Sequence, residues 1–357
     1  MTASATSAAA NTGTTPVRDG FGFDTAALSR WMAAHVAGFR GPMSVRQFKG
    51  GQSNPTYQLI TPGKTYVLRR KPPGQLAKGA HAVDREARVL GALGAAGFPV
   101  AQVRGLCTDD SIIGSWFYVM DMVEGRIFWN ATFPEVSAPD RPRYFQAMNE
   151  TLAQLHMADP AAIGLGDFGP GGNYAARQIS RWTKSYLADA EAGRDPGMDW
   201  LIEWLPQAVP DSDETSVVHG DFRCDNLIFH PTAPRVIAVL DWELSTLGNP
   251  LCDFTYHAMM YRMPPDIVAG LGGIDPTPLN IPGEADHVAQ YCALTGRAGI
   301  PDYPAYIAFN FFRMAAIFHG IKGRVIRGSA ASAHSMDRVK QFPKLVELAV
   351  QAAKECL

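Results

Sequence analysis

Apolar residues follow two rhythms along this chain. Between Ser44 and Arg70 they fall in three short runs bounded by turn residues, which predicts strands at Ser44–Phe48, Thr56–Ile60 and Thr65–Arg70. The first two flank K-G-G-Q-S-N-P, and the second pair is joined by T-P-G-K. Both are turn compositions, so the strands form an antiparallel start with a glycine-bearing tip. Val100–Leu106 and Ile112–Met122 complete the predicted sheet. Ahead of it, Leu28, Trp31, His35 and Phe39 recur at helical spacing behind Asp24, a capping residue. Val83, Ala87, Leu90 and Leu93 mark a second helix. Beyond Gly125 helical spacing dominates, with faces at Tyr144–Leu155, Ile179–Tyr186 and Trp200–Leu205, an entry near Leu251, and further helices around 288–292, 306–324 and 339–352. Strand-like runs interrupt this half at Leu227–Phe229 and Val236–Leu240, which predict one hairpin.

That hairpin gathers polar groups at its open end. The stretch V-V-H-G-D-F-R-C-D-N precedes it, and Asp241 ends its second strand. An Asp followed five residues later by Asn, then by a second Asp, is what phosphoryl transfer needs: one carboxylate for the acceptor hydroxyl, and an amide oxygen and a carboxylate for magnesium on nucleotide phosphates. Asp221 is the candidate base, with Asn226 and Asp241 as the metal ligands.

The sheet offers matching parts. In Y-V-L-R-R-K, alternation puts Val67 and Arg69 on one face, an apolar wall beside a cation suited to adenine and phosphate. Gly51, Ser53 and Asn54 at the tip are candidates for phosphate contact, against the plainer reading of an ordinary hairpin turn. Glu86, projecting from the second helix, is placed either to hold the Arg69 guanidinium or to pair with Arg85 or Arg88 at the surface. The strand that ends W-F-Y-V-M-D-M-V-E-G reads as a hinge, where the backbone of Asp121 and Val123 faces the adenine edge with Met120 behind the ring. Asp253 either caps its own helix or reaches back to pin the Asp221 loop.

A net charge of −2 gives no reason to expect nucleic acid or an anionic membrane as partner. Lys322, Arg324 and Arg327 form a local basic trio, which reads as a solvated helix end or, leaning toward a CoA ester, as a hold for an anionic acceptor. The five cysteines are scattered, with no pair at metal-ligand spacing, and read as free thiols in a reducing compartment. No stretch reaches the length of a membrane span. The first residues are small and polar, which predicts disorder to about Val17, a poor signal peptide and a cytoplasmic protein.

Taken in order, the glycine turn, basic strand end, helix Glu, hinge, H-G-D followed by the Asn of F-R-C-D-N, and L-D-W-E resemble the aminoglycoside phosphotransferase branch of the protein-kinase-like superfamily. The resemblance spans about Phe48 to His257. V-L-R-R-K-P-P-G, A-V-D-R-E, N-Y-A-A-R-Q-I-S-R-W and L-D-W-E-L-S-T-L-G-N-P-L-C-D are closer still to the kinase-like domain fused, in animals, ahead of an acyl-CoA dehydrogenase. This resemblance implies an α+β, two-lobe protein-kinase-like fold. Its divisions are a tail at 1–20, a small antiparallel-sheet N-lobe at 21–122 that binds nucleotide, and a larger, mostly helical C-lobe at 123–357. It also implies an ATP- and Mg2+-dependent transfer of the γ-phosphoryl to a small-molecule hydroxyl, with a hydroxyacyl-CoA as acceptor. The alternatives are an aminoglycoside, choline or homoserine kinase, or a nucleotide-binding pseudokinase. Arg223 stands where many protein kinases carry a lysine that meets the transferring group, and Asp225 or Glu243 are its competing partners. His219 reads as a hydrogen bonder that organises the loop.

Overall fold

The computed structural model describes residues 12–50, 54–72, 81–328 and 335–357. The strands are β1 (Thr14–Thr15), β2 (Ser44–Phe48), β3 (Thr56–Ile60), β4 (Thr65–Arg70), β5 (Val103–Cys107), β6 (Phe117–Asp121), β7 (Ser216–Val218), β8 (Leu227–Phe229), β9 (Val236–Val239) and β10 (Thr246–Gly248). The helices are α1 (Thr25–His35), α2 (Val83–Ala95), α3 (Asp110–Ile113), α4 (Arg141–Met157), α5 (Tyr174–Ala188), α6 (Pro196–Ala208), α7 (Pro250–Ala258), α8 (Glu284–Thr295), α9 (Tyr303–Ile326) and α10 (Ser335–Lys354). None of the helices in these residues is long and apolar enough to cross a membrane.

Two compact units divide the chain: Met1–Trp129 with Ile163–Leu165 and Asp225–Ser245, and Asn130–Ala162 with Gly166–Cys224 and Thr246–Leu357. The first is built on an antiparallel sheet in the order β1-β2-β3-β4-β6-β5. Alternate residues of its strands, Tyr57, Leu59, Tyr66, Leu68, Phe117 and Val119, are buried with Leu28, Trp31 and Met32 of α1. Asp24 caps α1 by accepting from the Ala26 and Ala27 amides. The β8–β9 hairpin, expected in the second lobe, is grouped with this unit. Arg126 and Phe229 exchange backbone hydrogen bonds of 2.8 Å, and Val239 N donates to Pro99 O at 2.9 Å.

Two expectations are corrected here. The tail expected to be disordered through residue 20 joins the sheet from Thr14, where β1 pairs with Phe48 and Gln47 and so covers the edge of β2. Residues 1–11 lie outside the described residues. The strand expected over Ile112–Met122 begins only at Phe117. Asp109 caps the turn α3 through the Ser111 amide, and Gly114 leaves it with φ 81°.

The second unit is mostly helical. Its longest helix, α9, buries both apolar residues such as Phe309, Phe311 and Phe312 and the polar Asn310 and Arg313. Polar groups inside such a helix need partners, and those of Arg313 belong to the candidate site.

Candidate functional site

In the first unit the site grows from strand register. Arg69 lies opposite Tyr118, and Val67 lies opposite Met120. An apolar pair therefore sits two residues along from a cation on the same strand face. Glu86, in the first turn of α2, is 2% exposed. Its carboxylate meets Arg69 Nε at 2.8 Å, accepts from Asn54 Nδ2 at 2.7 Å and accepts from the Tyr118 hydroxyl at 3.0 Å. Burial pushes the Glu86 carboxyl up, and Arg69 works against that rise. Burial also disfavours the Arg69 charge, but Glu86, Asp241 and Glu243 outweigh it and hold the guanidinium charged. Arg69 Nη2 reaches Asp241 Oδ1 at 2.8 Å.

Asp241 occupies left-handed backbone, φ 62°, just past β9. Leu240 N donates to Asn226 O at 2.8 Å, which places Asn226 and Asp241 at the same end of the hairpin. Together they offer one carboxylate and one amide, hard oxygen donors of the kind magnesium takes alongside phosphates and water. The residues present thus fit that ion.

Other sequence candidates are placed differently. Asn54 is fully buried, with Nδ2 on Glu86 and Oδ1 2.9 Å from His81 Nδ1, so its side chain orders Glu86 instead of extending toward a phosphate. Asp121 N donates to Gln102 O at 2.9 Å, so its N–H is spent inside the sheet and is not offered to an adenine. The Asp121 carboxylate is paired with Lys64 and Arg104. Val123 lies two residues past the end of β6. Gly51 and Ser53 lie outside the described residues.

In the second unit, β7 is buried and pairs with β10, and it delivers the chain to His219 and to Gly220 at φ 82°. The Asp253 carboxylate accepts from His219 N at 2.6 Å and from Gly220 N at 2.8 Å. It also lies 3.2 Å from His156 Nε2, and His156 Nδ1 lies 2.7 Å from the Tyr291 hydroxyl. Burial works against the Asp253 charge, but His156 and the His219 amide hold the group below the usual carboxylate range. The helix cap falls to Asn249, which accepts from Leu251 N. His219 Nδ1 accepts from Asp221 N at 3.1 Å and so tightens the same loop.

Asp221 is thereby presented on a clamped loop. The Tyr256 hydroxyl donates to its Oδ1 at 2.5 Å, and Arg223 Nε lies 3.2 Å from the same oxygen. Burial and the neighbouring Asp221 raise the Tyr256 phenol far above its ordinary value, so it stays a donor. Arg313 Nη2 donates to Gly220 O at 2.7 Å, and its guanidinium lies 5.2 Å from the Tyr256 ring centre.

Sequence reasoning missed Tyr256 and Arg313. The available signals were Tyr256 three residues after Asp253 on the same helix, and a cation inside the apolar run F-N-F-F-R-M. Of the basic trio, Arg327 is taken by Asp189 at 2.7 Å and Glu191 at 3.3 Å. Cys224 is a buried thiol.

Residues 44–277 match the model of the phosphotransferase enzyme family. Acyl-CoA dehydrogenase family member 11 of Gallus gallus is 42% identical over 356 residues, covering 96% of this chain and 45% of its own length. The chain thus spans less than half of that relative. A structure from Ralstonia eutropha JMP134, named as a candidate aminoglycoside phosphotransferase, is 48% identical with a TM-score of 0.86, covering 94% of this chain and 99% of its own. The aminoglycoside phosphotransferase APH(4)-Ia, in ternary complex with AMP-PNP and hygromycin B, is similar in fold at 14% identity and a TM-score of 0.59, covering 91% of this chain and 98% of its own. The α+β fold is that of the kinase-like neighbours, and the match runs through every element that carries Arg69, Glu86, Asp221, Asn226, Asp241 and Asp253. This chain belongs to the phosphotransferase enzyme family.

Proposed function

We propose that the chain moves the γ-phosphoryl of ATP to the hydroxyl of a hydroxyacyl-CoA. The observation that carries this reading is the Asp221 carboxylate, held by Tyr256 and Arg223 on a loop that Asp253 and Arg313 clamp from behind. Such pre-set positioning is most of what phosphoryl transfer asks of a protein. The acceptor oxygen bonds to the γ-phosphorus as the bond from that phosphorus to the bridging oxygen breaks. The hydroxyl proton passes to Asp221, and ADP leaves with the bonding pair. Arg69, aimed by Glu86, steadies the phosphates. Magnesium, when bound, neutralises charge on them, and Asn226 and Asp241 would hold it.

The acceptor class is supported by local charge. The Arg338 guanidinium is opposed by burial and by the nearby cations Arg223 and Arg324, and is favoured by Asp221. A positive field beside the base suits an anionic acceptor such as a CoA ester and repels aminoglycosides and choline. The acyl-CoA name of the chicken relative points the same way, although Arg327 no longer contributes. The name of the Ralstonia neighbour favours a second reading, an aminoglycoside acceptor. A magnesium-ATP consumption screen with 3-, 4- and 5-hydroxyacyl-CoA esters beside aminoglycosides and choline tests both. Turnover of the esters is expected, and turnover of an amino-alcohol alone would replace this reading with the second.

A further inference from the structure

β4 ends in two consecutive arginines that leave opposite faces of the sheet. Arg69 meets Glu86 and Asp241 on one face. Arg70 shares the other face with Tyr66 and Leu68, which pack with the residues of α1, and it is 3% exposed. Its Nε donates to Ser115 Oγ at 2.9 Å, and its guanidinium lies 5.5 Å from the Phe23 ring centre. Arg70 Nη1 is closed to solvent and has no hydrogen-bond partner among the described residues. No carboxylate of those residues pairs with Arg70, and the remaining stretches of the chain contain neither Asp nor Glu. Burial lowers the Arg70 pKa, and the group that works the other way is the Tyr57 phenol, which burial keeps neutral.

A second donor lies on the same face. Register sets Gln47 opposite Tyr57 and Tyr57 opposite Leu68, so Gln47, Tyr57 and Arg70 point the same way. Gln47 is fully buried: its Oε1 accepts from Arg18 N at 3.0 Å, and its Nε2 has no partner among the described residues. Residues 18–23 lie over this face. Arg18 holds Gln47, Phe21 O accepts from the Tyr57 hydroxyl at 2.8 Å, and Phe23 faces Arg70.

A buried charge is costly unless an opposite charge pairs with it. Water satisfies an N–H group and leaves the charge uncompensated, whereas an anion answers both needs. One guanidinium calls for one negative charge. The Ser115 hydroxyl is spent on Lys71 O and the Tyr57 hydroxyl on Phe21 O, which leaves the N–H groups of Arg70 and Gln47. These are too few for the oxygens of a phosphate.

We infer that this face of the sheet binds one small monovalent anion of chloride's size, held by Arg70 and Gln47 beneath residues 18–23. Each arginine at the end of β4 is then neutralised on its own face, Arg69 by carboxylates of the chain and Arg70 by the bound ion. The site is separate from phosphoryl transfer, and its test reads no turnover.

Gly114 supplies a control. It is exposed, with φ 81°, and the atom that a Cβ there would meet is Arg70 Nη2 at 4.0 Å. Gly114→Asp sets a carboxylate beside the guanidinium, in left-handed backbone that Asp tolerates better than most residues.

The experiment is urea unfolding of the full chain in sodium chloride and in sodium gluconate at equal ionic strength, gluconate being too bulky for the closed site. Chloride at about ten times its Kd should raise the native midpoint by about 0.5 M. Arg70→Met should abolish that rise, and Gly114→Asp should abolish it while keeping the arginine. Equal native midpoints in the two salts overturn the inference and leave these donors to water. A rise that persists in Arg70→Met overturns it as well; if that variant does not fold, a rise that persists in Gly114→Asp does so.

Discussion

Replacing Asp253 by Asn keeps the size of the side chain and removes its charge and one of its acceptor oxygens. In the native chain the two carboxylate oxygens take the His219 and Gly220 amides at 2.6 and 2.8 Å, with His156 Nε2 at 3.2 Å. Asparagine turns an NH2 toward one of these donors. Hydrogen bonds to a charged group are worth about 1.5–3 kcal/mol net, and a buried amide left without an acceptor costs about 1–3 kcal/mol. Asp253→Asn should therefore cost about 4 kcal/mol. With a urea slope of about 3 kcal/mol per M, the unfolding midpoint should fall by about 1 M or more. Where the chain stays folded, the loop loses its anchor and the fraction of molecules presenting Asp221 falls. A bias of about 3 kcal/mol lowers kcat by about 100-fold, with KM for ATP nearly unchanged, because the Arg69–Glu86 pair lies elsewhere in the chain. Urea unfolding and steady-state kinetics measure both. A midpoint within 0.2 M of native together with native kcat would refute the clamp.

Three further outcomes follow from the same geometry. Glu86→Gln removes one charged partner of a buried guanidinium, so stability should drop by about 3 kcal/mol and magnesium-ATP affinity should weaken, read by urea unfolding and calorimetry. Arg338→Ala should lower kcat/KM for a CoA ester about fivefold at low salt, a gap that narrows as salt rises; the same loss at every ionic strength would contradict a field effect. His257 has its folded pKa depressed to about 4, so its contribution is full above the unfolded value near 6.5 and is lost as pH falls toward 4. From pH 7 to pH 5 that loss is about 2 kcal/mol, and His257→Leu should flatten the pH dependence of unfolding by that amount.

Local rules carried the sequence reading a long way. β2, β3 and β4 fall on the predicted residues because each is a short run carrying Val, Tyr, Leu, Ile or Phe, and the turns between them contain glycine or proline. The pairing of Arg69 with Glu86 followed from a cation on a strand and a carboxylate on the next helix. What escaped was non-local. Tyr256 meets Asp221 across 35 residues and Arg313 meets Gly220 across 93, contacts that no periodicity encodes. Asn54 was misjudged because an amide beside glycines looks like a phosphate donor until its burial against Glu86 is known. The turn α3 was lost for a different reason: Ile112 and Ile113 favour strand, and the Asp109 cap overrides them.

The central claim is that Asp221 is the base for phosphoryl transfer to an alcohol. Asp221→Asn keeps the shape of the site and removes the proton acceptor. Its most direct test is the single-turnover rate of 32P transfer from magnesium-ATP to 4-hydroxypentanoyl-CoA in native and Asp221→Asn chains, with ATP binding confirmed in each. The account predicts native binding and a rate lower by about 100-fold or more; an undiminished rate in the variant would contradict it.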